Sequence, residues 1–412
     1  PAFIGNSNLA CKPEPMERTV RSRLLPAISA SRSILVRGVN DSIQWALQAA
    51  VDDGTFPGAV LAVRLRGNIV FESAVGQLSR QGTEEAVTSH TCYDLASLTK
   101  VLATTTALAL LMQRGCVKLD DRIDGILNEL RDSAVGAATV RQLLTHSSGL
   151  PGWRPLYERI AAIEATQPGF MGSPAACEAV TGYIAKEELI YERGSRSLYS
   201  DLGFMLLGFA VERLSGEPLD QFCSGQIYEP LGARPLAYAR RGPLSALSIH
   251  HDAECIIAPT EEDPWRKRML CGEVHDENAY ALGGVAGHAG LFGTARAVLA
   301  VSQAWMDGRR KKRGLLEPEI VRTFTTNRQG VPNSSWALGW DTPSVRSSSG
   351  TRFSSESFGH LGFTGTSLWI DPVKELEVVL LSNRVHPTRR NEQIRVFRPH
   401  IHDVICRELL RN

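Results

Sequence analysis

A serine and a lysine three positions apart open a helix that is predicted from a long apolar run. The stretch begins Ser97-Leu98-Thr99-Lys100 and continues as VLATTTALALLM to Gly115. At this spacing both side chains lie on one face of the first helical turn, so the lysine nitrogen can sit beside the serine hydroxyl. A serine becomes a nucleophile when a neighbouring base takes its proton, and a lysine that has lost its charge through burial can help. The spacing predicts nucleophilic catalysis by Ser97, with Lys100 as its proton-handling partner.

The surroundings of this pair suit that chemistry. The helix is apolar on nearly all sides, as burial between two layers requires, and its amino end offers N–H groups to a developing oxyanion. A membrane span over residues 95–112 is a poor alternative, because the stretch holds Lys100 and five Ser or Thr residues. A second alternative stays open, since Ser-x-x-Lys arises often by chance: Ser97 caps the helix and Lys100 reaches to solvent.

Tyr199 is the next candidate for proton transfer. It precedes Ser200 and Asp201, either of which can cap the apolar helix GFMLLGFAVERLSG and so hold the tyrosine on a rigid edge. A phenol close to an ammonium has its anionic form favoured, so Tyr199 is a candidate base for Ser97 and acid for the leaving group. Taken alone, the residue also fits a half-buried aromatic with a hydrogen-bonded hydroxyl.

A glycine-rich segment near the other end of the chain is a candidate substrate-binding edge. Glycines at 359, 362 and 365 precede the strand pattern SLWIDP and let a substrate backbone approach closely. His360 can donate a hydrogen bond to a substrate carboxylate or carbonyl. With an ordinary pKa of about 6.5, His360 is expected to hold carboxylate substrates less well as the pH rises through neutrality. The alternative is a turn that enters a hairpin.

Four polar residues lie close together within residues 272–290: His275, Asp276, Asn278 and His288. Acyl transfer by a serine needs no metal, so we expect these residues to make hydrogen bonds in a wall of the cleft and predict no metal or cofactor.

Composition limits the class of protein. The 412 residues are 43% hydrophobic and carry 45 Lys+Arg against 44 Asp+Glu, which favours a small or peptide substrate over nucleic acid. The basic run 309–313 lies between two glycines and is read as a solvated loop. Eight scattered cysteines without Cys-x-x-Cys spacing suggest mostly reduced thiols in a cytoplasmic protein, and the absence of a secretory pattern agrees, although export stays open.

Strand patterns at both ends of the chain enclose a mostly helical middle. We expect an N-terminal extension over residues 1–37, a discontinuous α/β domain over 38–90 and 285–412, and a helical domain over 91–284. The predicted helices are 41–54, 97–112, 140–144, 201–214 and 391–411, and the predicted strand pairs fall in 58–77 and 367–383. The site is expected where the two domains meet.

The order Ser-x-x-Lys, then Tyr-Ser-Asp, then His-x-Gly resembles the penicillin-recognising serine hydrolases. Within them the chain is similar to class C β-lactamases, family VIII esterases and D-alanyl peptidases, over residues 41–410. The segments LLTHSSGLPGW, YSDLGFMLLG and LGGVAGHAGLFGTA carry the likeness further. The resemblance implies a β-lactamase/transpeptidase-like fold, α/β plus all-helical, in which terminal helices flank an antiparallel sheet. It also implies that the N–H groups of Ser97 and Phe363, beside Gly362, hold the oxyanion.

Two positions depart from the family pattern. Asp201 stands where Asn is usual, and His360-Leu361-Gly362 stands where many members carry Lys-Thr-Gly. Both changes argue against efficient β-lactam turnover. The segment 272–290 is also similar to one in amidases that act on muropeptide fragments. We therefore expect a serine hydrolase for cell-wall peptides, with a carboxylesterase, a weak β-lactamase, an acyltransferase or a penicillin-binding receptor without turnover as alternatives. The oligomeric state is not readable from the sequence.

Overall fold

The computed structural model describes residues 37–80, 85–240, 255–326 and 330–410, with side chains from residue 41 onward. The extension predicted over residues 1–37 lies outside the described residues except for Arg37, which begins the first helix.

Ten strands and thirteen α-helices are present in the described residues. The strands are β1 (Gly58–Leu65), β2 (Asn68–Gly76), β3 (Tyr93–Asp94), β4 (Leu236–Tyr238), β5 (Glu262–Asp263), β6 (Arg268–Met269), β7 (Leu291–Gly293), β8 (Phe358–Leu361), β9 (Ser367–Asp371) and β10 (Leu376–Ser382). The helices are α1 (Arg37–Asp52), α2 (Thr106–Gln113), α3 (Ile123–Ile126), α4 (Val140–Leu144), α5 (Leu156–Glu164), α6 (Pro174–Ala185), α7 (Asp201–Ser215), α8 (Leu219–Cys223), α9 (Glu229–Leu231), α10 (Glu277–Ala281), α11 (Ala295–Arg309), α12 (Pro318–Thr325) and α13 (Ile394–Leu409). A π-helical segment, Lys100–Thr105, leads into α2, and a second, Ser224–Tyr228, leads into α9.

The main sheet joins the two ends of the chain. Its strand order is β2-β1-β10-β9-β8, and every neighbouring pair is antiparallel. β1 pairs with β10 from Ala59 opposite Ser382 to Leu65 opposite Leu376. The predicted discontinuous sheet flanked by terminal helices is therefore confirmed, whereas the domain boundaries at residues 90 and 285 stay a prediction.

Both faces of β1 are buried, which explains its almost unbroken apolar sequence. Ala59, Leu61 and Val63 pack in one core with residues of α1 and α13. Val60 and Ala62 point to the opposite side, into the larger core that the helices share. The sheet thus separates the terminal helices from the helical part of the molecule, with α11 packed on the same side as the larger core.

A glycine-rich loop, residues 283–290, lies almost in backbone contact with α7. A Cβ atom on Gly287 would lie 2.1 Å from the carbonyl oxygen of Phe204 and 2.8 Å from the Cα of Gly208. No side chain fits at this position without movement of the backbone. Close packing here fixes His288, the next residue, against the amino end of the helix that follows Ser97.

The expectation of mostly reduced thiols has an exception in a disulfide that joins distant parts of the chain. Cys92 and Cys255 are bonded to each other, while Cys177, Cys223, Cys271 and Cys406 are free. The two bonded cysteines are 163 residues apart. They meet because the backbone at Cys92 hydrogen-bonds to residues 256 and 258, a contact that spacing along the chain does not reveal.

Within the described ranges, every helix is too short or too polar to cross a membrane.

The close approach at Gly287 gives a test of the packing. Gly287→Ala should lower the free energy of unfolding by about 1–3 kcal/mol, as overpacking does in tight cores. Gly182→Ala is the matched control, because its added Cβ meets open space in the middle of α6 and should be neutral or stabilise by up to about 1 kcal/mol. Urea unfolding followed by circular dichroism measures both, and equal midpoints for Gly287→Ala and wild type would contradict the packing described here.

Candidate active site

The turn that carries Ser97 is held from three sides. The carboxylate of Asp94 accepts hydrogen bonds from the N–H groups of Ala96, at 2.8 Å, and of His275, at 2.7 Å. The hydroxyls of Thr364 and Thr366 donate to the backbone carbonyls of residues 94 and 95. Ala96 has a φ of +46°, a left-handed conformation that a non-glycine residue keeps only when its surroundings impose it. The surrounding contacts thus fix the backbone from which the Ser97 hydroxyl projects.

Lys100 is fully buried, and its side-chain nitrogen lies close to three oxygen atoms. Nζ lies 3.0 Å from Ser97 Oγ, 3.1 Å from the carbonyl oxygen of His288 and 2.7 Å from Asp201 Oδ1. Burial lowers the pKa of Lys100, but the Asp201 carboxylate and Tyr199 raise it by more, so the net pKa lies above the usual value. The expectation that burial discharges this lysine is therefore wrong for the resting site, because the sequence argument left out the ion pair.

Tyr199 lies over the same ammonium, with its ring centroid 4.9 Å from Lys100 Nζ. Burial raises the pKa of Tyr199, and the opposing effect of Lys100 does not outweigh it. The resting tyrosine is thus a neutral phenol, contrary to the phenolate favoured in the sequence argument. Ser200 caps α7 through a hydrogen bond from the N–H of Gly203, so the predicted rigid edge is present.

His146 is a site residue that the sequence argument missed. Its Nδ1 accepts the N–H of Ser200 at 3.0 Å, and its carbonyl oxygen accepts the N–H of Leu198 at 2.8 Å. These two bonds hold the residues on either side of Tyr199, and the His146 ring lies 4.6 Å from the tyrosine ring. Burial keeps the pKa of His146 well below its usual value. The polar run Thr145–Ser148, directly after the apolar end of α4, is the signal that could have indicated this residue.

His360 lies on β8 and lines the cleft, but it is not a carboxylate donor. Nδ1 lies 2.8 Å from the carbonyl oxygen of Leu361, which can only accept, so Nδ1 carries the proton and Nε2 presents a lone pair. Burial, followed by the charge of Lys100, lowers the pKa of His360 to about 3. The expectation that His360 is charged in mild acid is therefore wrong. The side chain is 2% exposed, and sequence alone did not indicate that burial.

Gly362 and Phe363 follow β8 and line the cleft that holds Ser97. A Cβ on Gly362 would lie 2.5 Å from the carbonyl oxygen of Leu95, so this strand end packs directly on the turn before Ser97. The N–H groups of Ser97 and Phe363 bond to no acceptor within the described residues. Both residues line the same cleft, which leaves two donors for the oxygen of a tetrahedral intermediate.

The cleft around these residues has a volume of about 550 Å³. Arginines of the segment after β10 and of α13 line the cleft: Arg384, Arg389, Arg395 and Arg398. Acidic residues line it as well: Asp201, Asp276, Glu277 and Asp341. The cleft thus presents both positive and negative side chains, and two of them, Arg389 and Glu277, form an ion pair at 2.8 Å.

The polar segment 275–288 forms a wall of this cleft through paired side chains. His275 Nε2 lies 2.8 Å from Glu261 Oε2, and His288 Nε2 lies 2.9 Å from Asp276 Oδ1. Asn278 bonds to the backbone on both sides of the turn that leads into α5. In the part of the chain that the structure describes, no group of three His, Cys, Asp or Glu side chains is arranged to hold a metal.

A buried Ser-Lys-Tyr cluster between a helical region and the edge of an antiparallel sheet defines a serine hydrolase of the acyl-enzyme class. The chain belongs to the β-lactamase family, whose model, described as Beta-lactamase, matches residues 43–399.

Two curated relatives cover most of the chain. A protein of Escherichia coli (strain K12), provisionally named D-alanyl-D-alanine carboxypeptidase, is 34% identical over 378 residues, 85% of this chain and 83% of the relative. The N-acetylmuramyl-L-alanine amidase of Bacillus subtilis (strain 168) is 32% identical over 352 residues, 80% of this chain and 78% of the relative.

Solved structures support the fold. EstCE1, a hydrolase with promiscuous acyltransferase activity, has a TM-score of 0.68 at 21% identity, covering 90% of this chain and all of that one. A penicillin-binding protein homologue from Caulobacter crescentus has a TM-score of 0.67 at 20% identity, covering 89% and 97% of the two chains.

The pKa values give a test of how the cleft responds to pH. Burial raises the pKa of Asp341 to about 6, so this carboxyl gains its charge between pH 5.5 and 8, whereas His360 stays neutral. The ratio of kcat/KM for an anionic ester to that for a neutral ester should fall with rising pH, because Asp341 then repels the anion. A repulsion of about 1 kcal/mol makes the fall roughly fivefold.

Two variants separate the groups. The fall should vanish in Asp341→Asn, which cannot ionise, and persist in His360→Gln, which replaces the imidazole by a neutral polar group. Rates measured with a matched pair of nitrophenyl esters decide between them. A slope that disappears in His360→Gln and survives in Asp341→Asn would return the pH response to the histidine.

Proposed function

We propose that this serine hydrolase cleaves the amide bond between the lactyl group of a muramic acid and the first residue of a cell-wall peptide. The observation that carries the proposal is the 3.0 Å contact between Ser97 Oγ and buried Lys100 Nζ at one side of a polar cleft. The likeness to a muramyl amidase over most of the chain supports the choice of substrate. The arginines that line the cleft suit the carboxylates of the peptide.

A D-alanyl-D-alanine carboxypeptidase is the second candidate. A peptide that ends in a free carboxylate also suits the arginines, and the relative from Escherichia coli carries that name. The two activities differ in the acyl group that Ser97 receives, a muramyl lactate in one and a peptide in the other. A choice between them therefore depends on what the acyl side of the cleft binds.

The proton path follows from the resting contacts. Lys100 is an ammonium whose three nearest acceptors are in place, so it must lose a proton before it can take one from Ser97. The shortest of these contacts leads to Asp201 Oδ1, at 2.7 Å. When substrate displaces water from the cleft, transfer along this contact turns the ion pair into a neutral amine and a carboxylic acid.

The neutral amine of Lys100 then serves both acylation and deacylation. Ser97 Oγ attacks the amide carbon as its proton passes to the Lys100 amine, and the N–H groups of Ser97 and Phe363 hold the oxyanion. The Tyr199 hydroxyl gives its proton to the leaving nitrogen, the C–N bond breaks, and Lys100 restores the phenol. Water then attacks the acyl carbon as its proton passes to the Lys100 amine, the bond to Ser97 Oγ breaks, and Lys100 returns that proton to Ser97. The acid leaves, and Asp201 gives its proton back to Lys100, which restores the ion pair.

Replacement of the nucleophile tests the reaction class. Ser97→Ala should lose all covalent labelling by a fluorophosphonate, because the missing oxygen is the attacking atom. Intact-protein mass spectrometry measures the label, and thermal melting checks that the variant is folded. A label that persists in Ser97→Ala would place the nucleophile elsewhere.

A substrate panel separates the candidate activities of the wild type. Muramyl dipeptide should release its peptide, whereas a D-alanyl-D-alanine peptide, a chromogenic cephalosporin and a short nitrophenyl ester should turn over with lower kcat/KM. Faster release of D-alanine would favour the carboxypeptidase. One stoichiometric burst with every substrate would indicate a receptor without turnover.

Asp201→Asn tests the proton path through its pH dependence. In wild type the proton leaves Lys100 for a carboxylate, whereas in the variant it must leave for solvent, which requires a pH closer to the lysine pKa. The acid limb of kcat/KM for a neutral ester should therefore move to higher pH, with a loss of roughly tenfold for each pH unit below the new limb. A limb that moves to lower pH would mean that Asp201 only raises the pKa of Lys100. Lys100→Arg, which keeps its charge, should be inactive throughout.

A further inference from the structure

Two of the three aromatic side chains that are strongly exposed in the described residues line the active-site cleft. Trp153 is 43% exposed and Phe363 is 49% exposed, while the third, Trp45, lies on α1 away from the cleft. An exposed tryptophan leaves the apolar surface of its ring in contact with water, which is unfavourable unless a partner covers it. The indole of Trp153 therefore offers the cleft a flat apolar face.

Asp276 lies in the same cleft and has a carboxylate oxygen to spare. Its Oδ1 accepts both the Nε2–H of His288, at 2.9 Å, and the N–H of Ala279, at 2.7 Å. Its second oxygen bonds to nothing in the described ranges, and the side chain is 22% exposed. Although burial raises the pKa of Asp276, His288 and the N–H of Ala279 lower it to well below the usual value. The cleft thus contains a fixed, charged acceptor that no protein donor fills.

Asn278 joins the two features into one surface. Its Oδ1 accepts the N–H of Tyr157 and its Nδ2 donates to the carbonyl oxygen of Arg154, both at 2.9 Å. The turn that carries Trp153 is therefore tied to the segment that carries Asp276. On its other side, the carbonyl oxygen of residue 152 accepts the N–H of Asp201 at 2.9 Å. Trp153 and Asp276 are held in place relative to each other and to the reacting groups.

We propose that Trp153 and Asp276 form a subsite for the sugar ring of the substrate, which rests on the muramyl amidase function proposed above. A pyranose presents an apolar C–H face that stacks on an aromatic ring and a rim of hydroxyls that donate to a carboxylate. Because the sugar is joined to the lactyl group that Ser97 receives, a subsite for the sugar selects a muramyl lactate over a bare peptide. A cationic group would also suit an indole and a carboxylate, and the inhibition experiment below distinguishes it from a sugar.

A matched pair of substrates isolates the contribution of the sugar. Muramyl dipeptide and D-lactyl-L-alanyl-D-isoglutamine share the scissile amide and everything beyond it, and the second lacks the sugar. We expect wild type to favour the first in kcat/KM by roughly tenfold or more, the effect of one good contact. Trp153→Ala and Asp276→Asn should each reduce that preference by roughly tenfold, and Trp153→Phe, which keeps a flat ring, by less.

The variants separate recognition from stability. Asp276→Asn keeps an amide oxygen for His288 and Ala279 and changes only the free oxygen into a donor. Trp153→Ala removes a surface side chain, so it tests the subsite even if Asp276→Asn is unfolded. Trp45→Ala is the control, because that exposed tryptophan lies outside the cleft and its loss should leave the preference unchanged. Equal kcat/KM for the two substrates in wild type, or an unchanged preference in Trp153→Ala, would overturn the subsite.

An inhibition experiment keeps the subsite testable if the amidase proposal fails. N-acetylmuramic acid and D-lactate are compared as inhibitors of nitrophenyl ester hydrolysis, with ethylamine as a cationic probe. The sugar acid should inhibit at least tenfold better than lactate in wild type and lose that advantage in Trp153→Ala. Cleavage of neither lactyl amide, with this inhibition intact, would reject the amidase and keep the subsite. Stronger inhibition by ethylamine than by the sugar acid would reject the subsite.

Discussion

The burial of one ammonium group is the constraint on which the site depends. A lysine nitrogen removed from water costs several kcal/mol unless charges and hydrogen bonds replace the solvent. Lys100 finds its three acceptors on three different parts of the chain: Ser97 on the preceding turn, Asp201 at the start of α7, and His288 on the glycine-rich loop. The ammonium is therefore stable only when all three segments are docked, which couples the formation of the site to the packing of the helical region.

The unusual features of the backbone follow from that docking. The loop can deliver the His288 carbonyl because Gly287 lies against the backbone of α7. The left-handed Ala96 is held by Asp94, whose carboxylate also binds the segment at His275. A strained residue and a close backbone approach thus lie on segments that meet at the nucleophile, and the contacts between those segments hold both.

The same packing sets the charges of the titratable groups. Burial alone would discharge Lys100, yet the nearby carboxylate keeps it protonated, and burial keeps Tyr199 neutral despite the ammonium above its ring. Burial likewise keeps His360 neutral, because it lowers the pKa of the imidazole. The charges left facing substrate are those of the arginines and of Asp276 and its acidic neighbours.

The sequence by itself determined the parts of this protein that depend on neighbours along the chain. Ser97 and Lys100 share a helical turn, and Tyr199 precedes a capped helix. Helical patterns marked α1, α2, α4, α7 and α13, and strand patterns marked β1, β2, β9 and β10, whereas the shorter strands and the other helices were not predicted. Tertiary structure alone decided the protonation states, the role of His146 around Tyr199, and the Cys92–Cys255 bond, which the sequence argument missed or judged wrongly. Each of these depends on a residue tens to hundreds of positions away, and burial and a charged partner shift a pKa in opposite directions. The pattern along the chain shows which side chains lie near one another in sequence. Whether burial or a charged partner has the larger effect on a pKa is decided only when distant segments pack together.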